Sequence, residues 1–380
     1  MTAYLDNAAT TKVSESALKA AVTAMTENYG NPSSLHRMGL NAELAVTKAR
    51  KDIALAMGAD PERIFFTSGA TEANNTILNG IAATYGRRKS TIVASSIEHP
   101  SVEEVLKELE KKGYKVKRIP PRSDGRINFA EFASAVDNDT FLATCMLVNN
   151  ETGAVNPVDD IFAAVKNKNP DCITHTDAVQ GFLKLPLKVS ALSCDLMTVS
   201  GHKVHAPKGI GAMYVGRNIR LAPCFYGGGQ EKGMRSGTEA VPLISAFGEA
   251  AAEQQRNIET AYKNALMLNS TLRKALAPLD YITFNTDEKV SSPYIVNFSV
   301  KGIRSEIMLH FLESRNVYVS SGSACSKGKK SRVLSQMNMP DELADTALRV
   351  SFSKMSSWGE IEMLVSAIKE GYMTLQKTGR

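Results

Sequence analysis

The chain has 380 residues, 43% hydrophobic and 22% charged, with a formal net charge of +6. Those values exclude a disordered chain and a single small core, and they make two domains the natural organisation of a globular enzyme. No apolar run approaches the ~18 residues that span a bilayer, and scattered positive charge without interleaved aromatics gives poor support to a nucleic-acid groove. The start, Met1-Thr2-Ala3-Tyr4-Leu5-Asp6, lacks a basic segment followed by an apolar one, so no signal peptide is read and a cytoplasmic location is expected.

From about residue 60, short β-branched runs alternate with helical patterns. Residues 63–67 predict a strand and 71–83 a helix. Residues 91–94 predict a strand, and 102–112 a helix with Val102, Val105, Leu106 and Leu109 on one face. Strand 115–119, helix 129–136, strand 141–148, helix 158–166, and strands 172–176, 196–199 and 211–215 follow. This alternation implies βαβ crossovers and a mostly parallel sheet covered on both faces. A long helical stretch, 239–277, with a break near Asn257, precedes a changed pattern. Strands 295–300, 317–319 and 348–352 are there separated by helices 305–315 and 358–375, which reads as a second, smaller α/β domain.

The five cysteines are widely spaced and form no CxxC pair. Cys145, Cys172 and Cys194 lie in apolar stretches and read as core. Cys325 differs. It sits in Ser321-Gly322-Ser323-Ala324-Cys325-Ser326-Lys327-Gly328, among small, polar and cationic residues. That is loop composition, and the nearby lysines favour the nucleophilic thiolate.

In an open parallel sheet, ligands bind beyond the carboxyl ends of the strands. Ser68-Gly69-Ala70-Thr71-Glu72 opens a helix, as either a phosphate site or a plain cap. His99 ends a strand beside a helix start, where a lone histidine is more often structural. Asn149-Asn150-Glu151-Thr152-Gly153, Asp177-Ala178-Val179-Gln180 and Ser200-Gly201-His202-Lys203 end three more strands. An anion site, a carboxylate and a lysine are the set that pyridoxal phosphate needs, with Asp177 for the pyridinium nitrogen and Lys203 for the aldehyde. The glycine-rich stretch Gly227-Gly228-Gly229-Gln230-Glu231 is not a dinucleotide fingerprint; it reads as a phosphate cradle or a subunit contact. Arg349 suits a carboxylate clamp, although pattern alone favours an ordinary ion pair.

Taken together, these segments resemble the NifS/IscS-type cysteine desulfurases, class-V aminotransferase-like enzymes of fold type I. The matching stretches run from Tyr4-Leu5-Asp6-Asn7-Ala8-Ala9-Thr10-Thr11 through Asn31-Pro32-Ser33-Ser34-Leu35-His36, Phe66-Thr67-Ser68-Gly69-Ala70-Thr71-Glu72 and Glu98-His99. They continue through the strand-end motifs above to Arg235-Ser236-Gly237-Thr238-Glu239, Ser321-Gly322-Ser323-Ala324-Cys325 and Arg349-Val350-Ser351-Phe352-Ser353.

The resemblance implies an α/β fold, with a pyridoxal-phosphate-binding large domain over 15–257. A small domain, 1–14 and 258–380, then carries the catalytic cysteine loop. It implies that Lys203 forms the Schiff base, Asp177 partners the pyridinium nitrogen, Gln180 contacts the phenolic oxygen, and His99 stacks on the ring and handles protons. Ala70, Thr71, Ser200, Gly201 and His202 hold the phosphate, with Thr238 from the other subunit of a homodimer. Asn150, beside the cofactor, and Arg349 hold the substrate carboxylate. Cys325 takes sulfur from L-cysteine as a persulfide, L-alanine leaves, and the sulfur passes to an acceptor for iron–sulfur cluster assembly or for tRNA or cofactor thiolation. No resident metal is expected, although Cys325 could transiently ligate an iron–sulfur cluster. A selenocysteine lyase, another fold type I enzyme and a non-catalytic scaffold remain as alternatives. Two departures from the family pattern stand out: the segment after Cys325 is about two residues shorter and more basic, and Ala206 replaces a glycine, which would matter if that backbone were left-handed.

Overall fold

Short runs of β-branched and apolar residues, most of them buried at every position, form the centre of the molecule. The computed structural model describes residues 2–321 and 331–376; Cys325 and its flanking residues lie outside them. In chain order, β1 (Ala3–Tyr4) leads to helices α1 (Glu15–Thr26) and α2 (Arg37–Met57). The alternating region follows as β2 (Ile64–Thr67), α3 (Ala70–Tyr85), β3 (Thr91–Ser95), α4 (Pro100–Lys111), β4 (Lys115–Ile119), α5 (Phe129–Ala135) and β5 (Thr140–Thr144). It continues through α6 (Val158–Lys168), β6 (Ile173–Asp177), β7 (Leu196–Ser200) and β8 (Gly211–Val215). Helices α7 (Val241–Arg256) and α8 (Ile258–Leu276) are parted at Asn257. The last part holds β9 (Ile282–Phe284), β10 (Ile295–Val300), α9 (Ser305–Glu313), β11 (Val317–Tyr318), β12 (Ser320–Ser321), α10 (Arg332–Gln336), α11 (Asp341–Asp345), β13 (Ala347–Ser351) and α12 (Trp358–Thr374).

The main sheet has the order β2-β8-β7-β6-β5-β3-β4. Only β8 runs against its neighbours. The carboxyl ends of β2, β3, β5, β6 and β7 therefore share one edge, and every candidate strand-end motif lies there. Apolar clusters cover both faces of the sheet, as parallel strands require. A smaller antiparallel sheet, β12-β13-β10-β9, has its own core around Phe298, Val350 and Leu364.

Several boundaries differ from the sequence reading, for physical reasons. Helix α4 starts at Pro100 rather than Val102, because His99 caps it and proline suits the first helical position. Strand β5 ends at Thr144, not 148; the buried carboxylate of Glu98 takes the Met146 N–H at 2.7 Å and bends the chain away. Helices α1 and α2 carry no matching sequence signal. The packed face of α1 is made of small residues, Ala17, Ala21 and Ala24, and that of α2 mixes Ala42, Ala49 and Ala54 with Val46, Ile53 and Met57. Leu18, Val22 and Met25 face outward instead, so apolar periodicity marks the unpacked side.

The small faces permit close approach to α7. A Cβ added at Gly248 would lie 2.5 Å from both Cα and Cβ of Ala49. Gly248→Ala should therefore lower stability by about 1–3 kcal/mol, the cost of overpacking, despite alanine's better helix propensity. Urea unfolding of the two proteins measures it.

Candidate active site

The segment Asp6–Thr11 crosses the sheet edge between the two cores. The carbonyls of Ala8 and Ala9 accept hydrogen bonds from Lys203 Nζ at 2.8 and 2.6 Å. Ala8 O also accepts from Gln180 Nε2 at 2.9 Å. Thr11 donates its N–H and hydroxyl to His202 O at 2.9 and 3.0 Å, and Thr10 Oγ1 lies 3.2 Å from His202 Nδ1. Asp6 pairs with Arg349 Nη2 at 2.8 Å. Backbone and side-chain groups of one turn thus gather residues from the segments after β6 and β7 and from β13.

Arg349, only 3% exposed, spends its other Nη on the Asn150 carbonyl at 2.8 Å. The ion pair expected from pattern alone is present, and Nε is buried with no hydrogen-bond partner among the described residues. Asn149 builds the turn before it: its Oδ1 accepts from the N–H groups of Glu151 and Thr152 at 2.9 and 3.0 Å.

A second network surrounds Asp177, the last residue of β6. Its buried carboxylate accepts from Asn74 Nδ2 at 2.9 Å and Val179 N–H at 3.0 Å. Asn74 Nδ2 also donates to Ser101 Oγ at 2.8 Å, which frees the Ser101 hydroxyl proton for His99 Nδ1 at 2.9 Å. The Ser101 N–H donates to the same nitrogen at 3.1 Å. Nδ1 is therefore an acceptor, and the neutral ring carries its proton on Nε2. Burial, with the charges of Lys203 and Arg332, lowers the His99 pKa, while Asp177 opposes the shift. His99 thus feels both networks. Glu98, beside it, is fully buried, and burial pushes its carboxyl up to about 8.

Ala70 and Thr71 form the first turn of α3, whose cap residue Gly69 offers no side-chain hydrogen bond. That helix start lies at the same sheet edge. Ser200 ends β7, and Gly201, His202 and Lys203 form one tight turn. Thr238 is exposed, directly after Gly237, and no hydrogen bond joins it to the other candidates among the described residues. Ala206 is buried and does not have a left-handed backbone; His205 does, at φ 68°, so alanine is accommodated without strain. Sequence reasoning missed Asn74 and Ser101. A polar residue on the apolar face of α3, between Ala73 and Ile77, was the available signal.

The sequence profile described as aminotransferase class-V matches residues 3–364. The chain belongs to that family. It is 38% identical over 370 residues, 97% of this chain and 92% of the other, to a protein of Nostoc named cysteine desulfurase. It is 36% identical to a NifS/IcsS protein homolog of Lactobacillus delbrueckii, over 98% of each chain. A solved NifS-like protein superposes with a TM-score of 0.94 at 37% identity, covering 99% of this chain and 100% of the other. Another, from Rickettsia africae, gives 0.88 at 28% over 98% and 100%. The expected α/β fold type I architecture is what the chain has.

Enzymes of this family use pyridoxal 5′-phosphate, and the site fits it. A helix start without a side-chain cap suits the phosphate, and a buried carboxylate steadied by two donors suits a cationic ring nitrogen. The Lys203 amine reaches the same edge. Among the described residues no cluster of His, Cys, Asp or Glu suits a metal ion, and no helix is long and apolar enough to cross a membrane.

Burial and nearby lysines lower both histidines flanking Lys203, His202 and His205, to about 4. The native protein keeps them neutral, while the unfolded chain protonates them near 6.5. Stability from these rings is thus complete above about pH 6.5 and is lost as pH falls toward about 4. His205→Gln should reduce the pH slope of the unfolding free energy by about one proton across that window, as read by denaturant melts at stepped pH.

Proposed function

We propose that the chain is a pyridoxal-phosphate-dependent cysteine desulfurase that converts L-cysteine to L-alanine and holds the sulfur as a persulfide on Cys325. The observation that carries this reading is the convergence of Lys203 and the buried Asp177 at one sheet edge, in a chain whose relatives bear that name along nearly their full length. A selenocysteine lyase or another fold type I activity is not favoured by those relatives.

When bound, pyridoxal phosphate supplies an electron sink for charge released at the substrate's α-carbon. Lys203 would hold it through its amine, which in its absence donates to the Ala8 and Ala9 carbonyls. Asp177, held in place by Asn74, would keep the ring nitrogen protonated. Gln180 would donate to the phenolic oxygen. The first turn of α3, with Ala70 and Thr71, holds the phosphate together with Ser200, Gly201 and His202. His99 handles protons from Nε2. Asn150 and Arg349, through its unpartnered Nε, take the substrate carboxylate. The Cys325 thiolate then attacks the substrate sulfur: a carbon–sulfur bond breaks, a sulfur–sulfur bond forms, and the electron pair left on carbon is protonated to give alanine.

The same reading includes a homodimer, with Thr238 completing the partner's phosphate site. Leu18, Val22 and Met25 of α1, with Leu35, Leu40 and Tyr226, form exposed apolar surface that a second copy would cover. The small unit, 1–14 and 258–380, brings Cys325 to the site, and an iron–sulfur scaffold or a thiolation protein takes the sulfur.

Cys325→Ser should reduce alanine release from L-cysteine to background while leaving the bound cofactor's visible absorption intact. Lys203→Ala should remove both. Alanine release unchanged in Cys325→Ser would overturn the desulfurase reading. Leu35→Asp with Leu40→Asp should shift the sedimentation mass from two copies to one.

A further inference from the structure

Lys184 is a buried lysine with no task in the chemistry above. It lies four residues past Gln180, on the irregular segment after β6, and is 5% exposed. Its Nζ donates to Gln180 Oε1 at 3.2 Å and sits 6.0 Å over the Tyr294 ring. The charged groups that face it are Lys203 and Arg349, both cations, and Arg349 is already paired with Asp6. Burial first, then those two charges, lower its pKa to about 7. Methionine would fill the same space without that penalty, so the amine calls for a polar purpose.

The Gln180 amide supplies one. Its two orientations, a half-turn apart, have the same shape and opposite hydrogen-bonding character. On one side stands Ala8 O, which only accepts, at 2.9 Å from Nε2. On the other stands Lys184 Nζ, which donates to Oε1. Only one orientation is bonded at both ends. In the other, Oε1 would confront the Ala8 carbonyl with no proton between them, and the Lys184 amine would lose the oxygen to which it donates. In the observed orientation Nε2 keeps a second hydrogen for an acceptor in the site.

We propose that Lys184 is a positioning residue, holding the Gln180 amide so that its N–H, not its oxygen, faces the phenolic oxygen of the cofactor. This rests on the proposed contact between Gln180 and that oxygen. Lys184 itself touches neither cofactor nor substrate; it acts through the amide.

The test is a double-mutant cycle on the full chain: Lys184→Met, Gln180→Ala and the pair. Two quantities are read, the dissociation constant of pyridoxal phosphate from fluorescence titration of the apoprotein, and the position of the visible absorption band once loaded. Lys184→Met is expected to weaken cofactor binding roughly five- to tenfold, the scale of one lost hydrogen bond, and to shift the band in the same sense as Gln180→Ala. In the Gln180→Ala background it should add nothing. If Lys184→Met does not fold, Lys184→Gln serves in the same cycle, its shorter side chain withdrawing the donor. Wild-type affinity and band in a folded Lys184 variant would overturn the proposal. So would effects of the two substitutions that multiply. A Gln180→Ala protein with wild-type affinity and band would overturn the Gln180 contact and Lys184's role together, whereas a shifted Gln180→Ala with independent Lys184 effects overturns Lys184's role alone.

Discussion

The turn Asp6–Thr11 is the constraint on which the rest of the site depends. Its backbone carbonyls face Lys203 and Gln180, its aspartate neutralises Arg349, and its threonines fasten the His202 turn. It is tied in turn to the small sheet, where Ala8 N–H donates to Ser351 Oγ at 2.8 Å and Ser351 N–H to Leu5 O at 2.7 Å. Displacing this turn would unseat Gln180, the His202 turn and Arg349 at once. A buried polar network has that character: each member is satisfied only while the others hold position.

Electrostatics at the site is managed by burial more than by pairing. Lys184, Lys203 and Arg349 lie near one another, while Asp6 and Asp177 face different members of the site. His99, His202 and His205 stay uncharged because their surroundings desolvate them. A site lined by basic side chains and neutral imidazoles suits anionic ligands such as a phosphate and a carboxylate. Glu98 is the counterpart among the acids: held neutral by burial, it braces the peptide of Met146 instead of competing for the cations.

Asp177 and Lys203 were legible in the sequence because a parallel sheet exports its strand ends to one edge, so position alone marked them. Arg349 was legible as an arginine in a strand suited to an ion pair, but its partner Asp6, 343 positions away, was not. The carbonyls of Ala8 and Ala9 were not legible, because a backbone oxygen has no residue signature. Asn74 and Ser101 were hidden by distance in sequence: Asn74 meets Asp177 across 103 positions. Helix α1 escaped because alanine packs closely without looking hydrophobic, and in α2 the buried Val46, Ile53 and Met57 share the helix with outward Leu40, Leu44 and Leu55. Cys325 shows the reverse case. Its composition speaks plainly, while it lies outside the described residues.

The tie between Leu5 and Ser351 joins residues 346 positions apart. On a ribosome the turn that seats Lys203 is made first, and the strand that fixes it is made last. The seven-stranded sheet can assemble while the chain is still growing, with βαβ units closing in order. The lysine's two carbonyl seats cannot be fixed until nearly the whole polypeptide has been released. Such long-range closure is slow, and it makes completion of the cofactor site a late step of folding. A truncated or stalled chain would have the sheet and the lysine without the seat that orients it.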